Sequence, residues 1–540
     1  MRTNALTPMS QEIDYAEAER LVHSLARPEA FPHPAHDVEC VETHISWVLL
    51  AGEYAYKLKK PLELGFLDFS TLARRRAACD AEVRLNRRHA PELYLDVVPV
   101  TGTRVAPRIG GEGEAIEWAV RMRRFDRDQE LDRLLARGAL HAERIDELAV
   151  TVARFHASAA VASLDAPWGT AETVLVPCLA NFERLGRMSE DPGVAGRLES
   201  LRSWTLAEHE RLRSTFADRR AARRVRECHG DLHLANMVLH GERVVVFDCI
   251  EFSESLRWID VAAEIAFTIM DLRFRDRTDL AQRFLDGYLA ESGDYALLAV
   301  LDFYLVYRAM VRAKIAAIRA VESDVTPEEQ RAARDDFLAH LALAESLVAP
   351  RTAALVITHG VSGSGKSFAA ERLVEQGPWI RVRSDVERKR LAGLGPRDVT
   401  VPERRGVMYS RDAGERTYAH LAEVAAVVLA ARYPVIVDAT FLERARRARF
   451  AALAAQFGVP FVILVVSASG DVLRARVAAR AQAASDPSEA DLAVLERQLA
   501  AVEPLAPGEA ARAVRVASED AADGAALAAR LAAFLGHGTR

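Results

Sequence analysis

Two short segments in the first half of the sequence carry side chains that phosphoryl transfer requires. In the run His229–Asn236 (HGDLHLAN) an asparagine stands five residues after Asp231, and the next apolar run ends in Asp248. The reaction needs a base that orients the acceptor hydroxyl, and hard oxygen ligands for Mg²⁺. We therefore assign Asp231 as the base and Asn236 and Asp248 as metal ligands. His229 is expected to brace the loop, because no third ligand at a suitable spacing completes a zinc site.

Lysine is rare in this chain, and half of its lysines lie close together. The sequence has six lysines against 65 arginines, and Lys57, Lys59 and Lys60 fall within four residues. Strand alternation puts Lys57 and Lys59 on one face and Lys60 on the other. On the following helix, for which Ser70 is the predicted N-cap, Glu82 is expected to reach inward and pair with Lys57. A solvated basic cluster is the alternative, but a compact ammonium fits between phosphates where a planar guanidinium does not.

A phosphate-binding loop is encoded in the second half of the sequence. The run Gly360–Ser367 (GVSGSGKS) matches G-x-x-x-x-G-K-[ST], directly after an apolar strand and before a helix-forming stretch. Its backbone N–H groups and the helix N-terminus attract phosphate oxygens. Lys366 is expected to bridge the β- and γ-phosphates, and the Ser367 hydroxyl to ligate Mg²⁺. The predicted nucleotide-binding residues of the loop are Gly360, Ser362, Gly363, Ser364, Gly365, Lys366 and Ser367.

Four further groups of side chains are placed around this loop. Asp385 and Arg388 follow the second strand, at the sheet edge beside the loop, where Asp385 could act as base and Arg388 could hold an acceptor anion. An ordinary helix N-cap is the alternative for Asp385. Asp438 ends the third strand, a position suited to orienting Mg²⁺ through water. Arg476 and Arg480 share one helix face and are assigned to a lid, with a solvated arginine face as the alternative.

These side chains must be positioned by two differently built modules. Strand patterns concentrate in a small lobe, residues 35–125, and helical patterns dominate residues 126–349. After Ala349–Arg351 short apolar strands alternate with helices, which predicts a doubly wound parallel sheet. The expected fold is an α+β bilobal module, 1–349, followed by an α/β doubly wound module, 350–540. The strands expected in the second module are Ala353–Thr358, Trp379–Arg383, Pro434–Val437, Phe461–Val466 and Ala513–Val516.

Composition narrows the class of protein. The chain has 540 residues, 50% of them hydrophobic and 27% charged, with a formal net charge of −6. A single small core is excluded, and a general nucleic-acid coat or membrane-surface protein is disfavoured. Five cysteines without a C-x-x-C pair fit a reducing compartment. We find no signal peptide, and no apolar run approaches the roughly 20 residues that span a bilayer, so we expect a cytoplasmic protein.

On the motifs quoted above, both modules resemble known kinase families. The first, over about Val41–Asp286, resembles the aminoglycoside phosphotransferase-like branch of the protein-kinase fold, with H-G-D-L-H-x-x-N as the diagnostic motif. The second, over Ala353–Leu505, resembles P-loop kinases of the polynucleotide kinase and zeta-toxin type. The resemblance implies ATP as nucleotide substrate and Mg²⁺. In one departure, Val41–Trp47 holds no glycine-rich loop ahead of Lys57, so the nucleotide is expected to be gripped differently.

The expected function is ATP-dependent transfer of the γ-phosphoryl group to hydroxyls of small-molecule acceptors at two sites. The absent glycine loop leaves an alternative, in which the first module is a non-catalytic nucleotide-binding regulator of the second. A second alternative is a nucleic-acid end kinase. The basic run Arg444, Arg446, Arg447 and Arg449 suggests it, although a solvated helix face and the negative net charge speak against it. No motif indicates the acceptor or the oligomeric state.

Overall fold

A computed structural model describes residues 13–65, 67–188, 191–322, 325–398, 400, 407–483 and 491–537 of the chain. These residues divide into two compact units. The first unit comprises the described residues up to His141 together with Ser158–Gly169 and Arg223–Glu264. The second unit comprises Ala142–Ala157, Thr170–Ala222 and the described residues from Ile265 onward. The boundary expected at 349/350 falls inside the second unit, which therefore contains both helical and parallel-sheet regions.

The first unit is built on a six-stranded antiparallel sheet with the strand order β1-β2-β3-β6-β4-β5. In the register of this sheet Lys57 pairs with Val48 on one neighbouring strand and with Val120 on the other. Two short antiparallel strand pairs, β7 with β10 and β8 with β9, flank the loop after Glu227. The strands of this unit are β1 (Glu39–Glu42), β2 (Ser46–Ala51), β3 (Tyr54–Lys59), β4 (Tyr94–Thr103), β5 (Ala106–Ile109), β6 (Glu117–Arg123), β7 (Val225–Glu227), β8 (Met237–His240), β9 (Arg243–Val246) and β10 (Trp258–Asp260).

Helices fill the sequence between and after these strands. Those up to residue 347 are α1 (Tyr15–Leu25), α2 (Leu72–Asn86), α3 (Leu131–Ala136), α4 (Ala142–Ser158), α5 (Ala171–Met188), α6 (Pro192–Arg211), α7 (Arg213–Ala221), α8 (Glu254–Arg257), α9 (Val261–Phe274), α10 (Thr278–Ser292), α11 (Leu298–Arg319) and α12 (Pro327–Leu347). Helix α12 starts with the expected proline and a capping box between Thr326 and Glu329. Short 3₁₀ turns complete the region.

The two faces of the antiparallel sheet bury different partners. Leu21 and Leu25 of α1 pack with Trp47 and Leu58 on one face. On the opposite face Cys79 and Val83 of α2 pack with Ala55, Val120 and other apolar side chains. Because side chains alternate along β3, the lysines at odd positions point toward α2. This packing puts the predicted Lys57–Glu82 pair within reach.

The second unit contains a five-stranded parallel sheet with the strand order β12-β13-β11-β14-β15. All of its strand pairs are parallel, and helices alternate with the strands, as the sequence predicts. The five expected strands are confirmed, as β11 (Leu355–His359), β12 (Ile380–Arg383), β13 (Val435–Asp438), β14 (Phe461–Ser467) and β15 (Ala513–Ala517). The helices of this region are α13 (Lys366–Glu375), α14 (Ser384–Leu391), α15 (Arg411–Ala430), α16 (Arg444–Phe457), α17 (Gly470–Ala483), α18 (Leu492–Ala501), α19 (Pro507–Ala510) and α20 (Gly524–His537).

Two further expectations concern membrane-spanning helices and the state of the cysteines. Among the described residues no helix has the length and apolar character needed to cross a membrane. The cysteines are all free thiols, and only Cys40 is exposed.

The N-cap of α2 differs by one residue from the expected one. Thr71, not Ser70, precedes the first helical residue, and its Oγ1 accepts the N–H of Arg74 at 3.3 Å. Ser70 Oγ instead donates to Asp68 Oδ1 at 2.7 Å. The hydroxyl of Thr71 is therefore the one that satisfies a helix N–H group.

We predict that Thr71→Ala destabilises the first turn of α2 by about 1 kcal/mol, since an N–H loses its acceptor. Amide hydrogen exchange in that turn should become roughly fivefold faster. Ser70→Ala is the matched control and should have a smaller effect. A larger effect of Ser70→Ala than of Thr71→Ala would contradict the assigned cap.

Candidate functional site

The predicted Lys57–Glu82 pair forms the centre of the site in the first unit. Lys57 Nζ donates to Glu82 Oε1 at 2.9 Å and also to Asp248 Oδ1. Strand β3 contributes the lysine, α2 the glutamate, and the turn after β9 the aspartate. The structure thus brings together three residues that the sequence assigned to one nucleotide site.

The pairing continues on the same face of β3. Lys59 Nζ donates to Glu82 Oε2 and to Glu251 Oε1. The Lys59 and Glu82 side chains are fully buried, and that of Glu251 is 3% exposed. Asp248, Lys57, Glu82, Lys59 and Glu251 therefore form one line of alternating sign, which we call the buried charge chain. It is buried except at its end, where the Asp248 side chain is 42% exposed. Sequence reasoning assigned no role to Glu251. The position of Lys59 on the face of Lys57 indicates that Lys59 needs a carboxylate, but it does not indicate which one.

Ion pairing determines the protonation states of Lys57 and Asp248 in the buried charge chain. Burial alone would lower the pKa of the Lys57 ammonium, but the carboxylates of Asp248 and Glu82 hold that pKa well above its ordinary value. Burial likewise favours the neutral form of Asp248, yet Lys57 keeps the pKa of this carboxyl below its usual range. Both groups are therefore charged at neutral pH. Each ammonium lies between two carboxylates, which offsets the cost of removing it from water.

The turn that carries Asp248 is held in an uncommon backbone conformation. Asp248 has a φ of 65°, in the left-handed region that non-glycine residues rarely adopt. Its N–H donates to Tyr94 Oη at 3.0 Å, and the N–H of Cys249 donates to Asn86 Oδ1 at 2.9 Å. Burial, with the nearby Glu82 and Asp248, raises the pKa of the Tyr94 phenol well above its ordinary value, so it stays a neutral hydroxyl. These contacts fix the direction of the Asp248 carboxylate.

The predicted base and its asparagine are in direct contact. Asn236 Nδ2 donates to the Asp231 carbonyl oxygen at 2.9 Å and to Asp231 Oδ2 at 3.1 Å. His233 Nε2 lies 3.3 Å from Asp231 Oδ2. Because the amide nitrogen of Asn236 is the donor in both bonds, its side-chain oxygen is the atom suited to a cation. The N–H of Phe247 donates to the Asn236 carbonyl oxygen at 3.0 Å, which connects this loop to the strand end before Asp248.

Two buried side chains, His229 and Glu264, support the backbone of this loop. His229 Nε2 is 2.8 Å from the Phe247 carbonyl oxygen, and the N–H of Asp231 donates to His229 Nδ1 at 3.3 Å. Burial lowers the pKa of His229, so the ring is neutral with its proton on Nε2. Its expected bracing role is confirmed. Glu264, which the sequence did not single out, is fully buried and accepts the N–H groups of His229 and Gly230 at 2.5 and 2.9 Å.

The donor set of this site fits Mg²⁺. Asn236 offers an amide oxygen and Asp248 a carboxylate, and both are hard oxygen ligands. Asp248 Oδ1 is bonded to Lys57, so its second oxygen is the one suited to a cation.

The glycine-free turn ahead of Lys57 is a short, well-bonded hairpin between β1 and β2. Thr43 Oγ1 donates to the Ser46 carbonyl oxygen at 2.9 Å and accepts the N–H of Ser46 at 3.0 Å. Lys60 donates to Glu42 Oε1 at 2.6 Å, and its ammonium lies 5.3 Å from the centre of the Trp47 ring. Lys60 thus serves the face opposite Lys57, as strand alternation predicts.

The phosphate loop of the second unit has the backbone that its glycines permit. Gly360, Gly363 and Gly365 have φ values of 153°, 82° and 92°. A Cβ on Gly363 would lie 2.9 Å from the Leu473 carbonyl oxygen, and one on Gly360 would lie 2.5 Å from that of Val466. Larger residues are therefore excluded by contact as well as by conformation.

Some polar groups in and beside this loop form hydrogen bonds within the protein, and two buried hydroxyls have no partner among the described residues. Lys366 Nζ donates to the Val361 carbonyl oxygen at 2.8 Å, and the N–H of Ser362 donates to Gln498 Oε1 at 2.7 Å. Gln498 lies on α18 and was not foreseen. The Oγ atoms of Ser364 and Ser518 are buried without a hydrogen-bond partner among the described residues. Such orphaned hydroxyls fit a site for phosphate oxygens.

A cavity of about 1040 Å³ opens at this loop and collects most of the predicted second site. Arg388 NH1 donates to Asp385 Oδ1 at 2.8 Å inside it. Asp385 lies in the first turn of α14, whose N-cap is Arg383, so the N-cap alternative is wrong. Asp438 is buried at the end of β13, with Arg383 Nε 3.9 Å from its Oδ2. The predicted residues that line the cavity are Ser362, Gly363, Gly365, Lys366, Ser367, Asp385, Arg388, Asp438 and Arg476.

Ser367 and Asp438 offer a hydroxyl and a carboxylate to the same cavity, a donor set that fits Mg²⁺. Arg476 NH1 donates to the Gly363 carbonyl oxygen at 3.4 Å, so this lid residue touches the phosphate loop. Arg480 lies on α17, but its side chain is outside the described residues.

Comparison with known proteins now assigns the two regions. Residues 66–303 match the Phosphotransferase enzyme family, and residues 355–505 match an AAA domain. Proteins of Mycobacterium tuberculosis and Mycobacterium bovis, both described as uncharacterized, are each 32% identical to the chain over 465 residues, covering 84% of it and 89% of the relative. The chain belongs to the family of these mycobacterial proteins. In this member of the family, a phosphotransferase domain of kinase-like fold precedes a P-loop domain.

Solved structures resemble parts of this family member. A gluconokinase from Sinorhizobium meliloti is 24% identical, covering 35% of the chain and 99% of that protein with a TM-score of 0.25. A choline kinase from Cryptosporidium parvum is 12% identical, covering 62% and 96% with a TM-score of 0.37. At these TM-scores the likenesses carry no information about the acceptor.

The basic run on α16 forms the expected solvated face only in part, since Arg444 and Arg449 are exposed but Arg446 and Arg447 are not. Arg447 is fully buried and donates to Glu509 Oε1 at 2.8 Å and to the Phe441 carbonyl oxygen at 3.1 Å. Arg446 lies 3.0 Å from carboxylate oxygens of both Glu415 and Glu443. Two of the four arginines are thus neutralised within the fold, which removes much of the support for a nucleic-acid surface.

We predict that Glu251→Gln lowers the free energy of unfolding of the first unit by about 3 kcal/mol, because Lys59 loses a buried counter-charge. The matched control is Glu42→Gln. It removes the partner of Lys60 at a carboxylate that is 54% exposed, and should cost less than about 1 kcal/mol. Pulsed hydrogen exchange of β3 across a urea titration measures both. Equal stability of the two variants would show that the buried charge chain does not stabilise the unit.

Proposed function

We propose that the chain is an ATP-dependent phosphotransferase with two sites, each moving the γ-phosphoryl group of ATP to a hydroxyl of a small molecule. One observation carries the proposal. The Lys57 ammonium is held between Glu82 and Asp248, next to a loop in which Asn236 bonds to Asp231. That set contains a phosphate-binding cation, two metal-ligand candidates and a base. The five free cysteines suit a reaction in the reducing cytoplasm.

At the first site each side chain has a separate task. Lys57 contacts phosphate oxygens, and Glu82 keeps its ammonium in place. Asp231, oriented by the amide of Asn236 and by braced backbone, accepts the proton of the acceptor hydroxyl as that oxygen attacks the γ-phosphorus. The bond from the γ-phosphorus to the bridging oxygen breaks, and ADP leaves with that oxygen. Asn236 and Asp248 would hold Mg²⁺, which when bound would neutralise phosphate charge. Most of the rate enhancement then comes from positioning and electrostatics.

At the second site the backbone replaces much of this side-chain chemistry. Inward N–H groups of the phosphate loop and the N-terminus of α13 bind phosphate oxygens. Lys366 leaves the Val361 carbonyl for the phosphates, and Asp385 receives the acceptor proton. Arg388, which bonds to Asp385 and lies 4.8 Å from the centre of the Tyr409 ring, holds the acceptor. Arg476 and Arg480 close over the nucleotide. Ser367 and Asp438 would hold Mg²⁺ here.

The glycine-free hairpin between β1 and β2 favours a second candidate function. A first site without a flexible covering loop could bind ATP tightly and regulate the P-loop site without transferring phosphate. The two candidate functions predict different results for the variant Asp231→Asn. This substitution removes the proposed base but no proposed nucleotide contact.

We predict that Asp231→Asn and Lys366→Ala each abolish a different phosphoryl-transfer activity. The full-length chain is incubated with Mg²⁺-ATP and a metabolite library, and products are detected by a gain of about 80 mass units. Each variant should lose its own products by at least about a thousandfold and keep the others. Loss of every product in Lys366→Ala, with no loss in Asp231→Asn, would favour the regulatory function. Phosphorylated oligonucleotide products would support the alternative that the chain is a nucleic-acid end kinase.

A further inference from the structure

Helix α10 belongs by sequence to the phosphotransferase match but contacts the P-loop sheet within the second unit. Asp286 on this helix accepts from Arg381 NH2 at 2.6 Å and from Arg381 Nε at 3.3 Å. The two side chains are 12% and 7% exposed. Arg381 lies on β12, the strand that leads into the predicted base Asp385. The pair is thus a nearly buried, bidentate contact, a strong form of ion pair.

The same guanidinium reaches the phosphate loop. Arg381 NH1 donates to the Ser367 carbonyl oxygen at 3.1 Å. Ser367 follows Lys366 in the first turn of α13, so this bond holds the backbone that carries both phosphate-site side chains. Asp286 therefore acts on the loop through one intermediate side chain. Without Asp286, a buried guanidinium would lack its main counter-charge and would move toward other acceptors.

A second arginine of α10 ties the helix to α13. Arg283 donates to both carboxylate oxygens of Asp146 at 2.7 Å, and its NH1 donates to Glu371 and Glu375 at 3.0 and 2.8 Å. Gln282 Nε2 donates to the Gly377 carbonyl oxygen at 2.6 Å, just after α13. The C-terminal half of the phosphate-loop helix is thus held by α10, and Asp146 of α4 pairs with the same Arg283.

The C-terminal end of α10 supports the helix of the predicted acceptor site. Arg390 on α14 donates to the carbonyl oxygens of Ala290 and Glu291 at 2.5 and 3.3 Å. Glu387 is fully buried and accepts from Tyr295 Oη at 3.2 Å. The other side of α14 presents Asp385 and Arg388 to the cavity. Helix α10 therefore supports both helices that flank the P-loop site.

We propose that Asp286 is a positioning residue for the P-loop site, fixing Lys366 and Ser367 through Arg381. This inference rests on the proposed function of that site. A helix from the phosphotransferase region is then a working part of the second site, a physical reason for the two domains to share one chain. The pair sets how well the loop is ordered for phosphate before nucleotide arrives.

The test uses the full-length chain with Mg²⁺ and AMP-PNP, followed by hydrogen exchange of peptides covering residues 360–375 and 229–248. In Asp286→Asn the AMP-PNP concentration for half-protection of 360–375 should rise about tenfold, whereas that for 229–248 should not change. The matched control is Asp279→Asn on the same helix. Asp279 pairs only locally with Arg277, at 2.7 Å, and its substitution should leave both values unchanged.

Arg381→Lys provides an independent variant if Asp286→Asn folds poorly. A lysine can keep the ion pair with Asp286, but it lacks the second arm that reaches the Ser367 carbonyl, so weaker binding at 360–375 is again expected. Half-protection values equal to those of the unmodified chain in both variants would overturn the positioning role of Asp286. The proposed function of the P-loop site would still stand. Absence of protection at 360–375 in the unmodified chain would overturn the proposed function of the site, and this role with it.

Discussion

The first unit depends on a line of five charges, four of which are buried. Asp248, Lys57, Glu82, Lys59 and Glu251 alternate in sign, and each lysine is shared by two carboxylates. Desolvating such groups costs several kcal/mol per ion unless every one is paired, so the surrounding elements must place all five accurately. The alternation of β3, the orientation of α2 and the left-handed turn at Asp248 meet that requirement. The same accuracy fixes the Lys57 ammonium between Glu82 and Asp248.

In the second unit the proposed phosphate site is built from backbone N–H groups rather than from a line of paired side chains. Glycine backbone and a helix N-terminus supply the N–H donors, and Lys366 is the single lysine among them. Arginines do the structural work in this unit, as with Arg381 at Asp286 and Arg447 at Glu509. Planar guanidinium groups join several acceptors at once, whereas lysines serve as compact cations beside phosphate positions. This division fits Lys57 and Lys366, whereas Lys60 pairs with Glu42 and Lys389 donates to the Asp398 carbonyl oxygen at 2.8 Å, so it accounts for only part of the lysine pattern.

Local patterns predicted much of the fold and of both sites, because strand alternation and motif spacing are properties of neighbouring residues. The contact between Lys57 and Glu82 follows from such patterns, and so do the five parallel strands. Glu251 and Glu264 could not be found in this way, since each meets its partner only after distant segments pack. The buried state of Arg447 was missed for a related reason: an arginine-rich helix looks solvated until Glu509 is placed against it. The Ser70 and Thr71 hydroxyls are adjacent, and only the helix start distinguishes them.

We propose that one chain holds two independent nucleotide sites, one built on the buried charge chain and one on the phosphate loop. Isothermal titration calorimetry of the full-length chain with AMP-PNP and Mg²⁺ counts these sites. We expect two nucleotides per chain, falling to one in Lys366→Ala and to one in Lys57→Ala. A stoichiometry of one in the unmodified chain, abolished by Lys366→Ala and unaffected by Lys57→Ala, would contradict it.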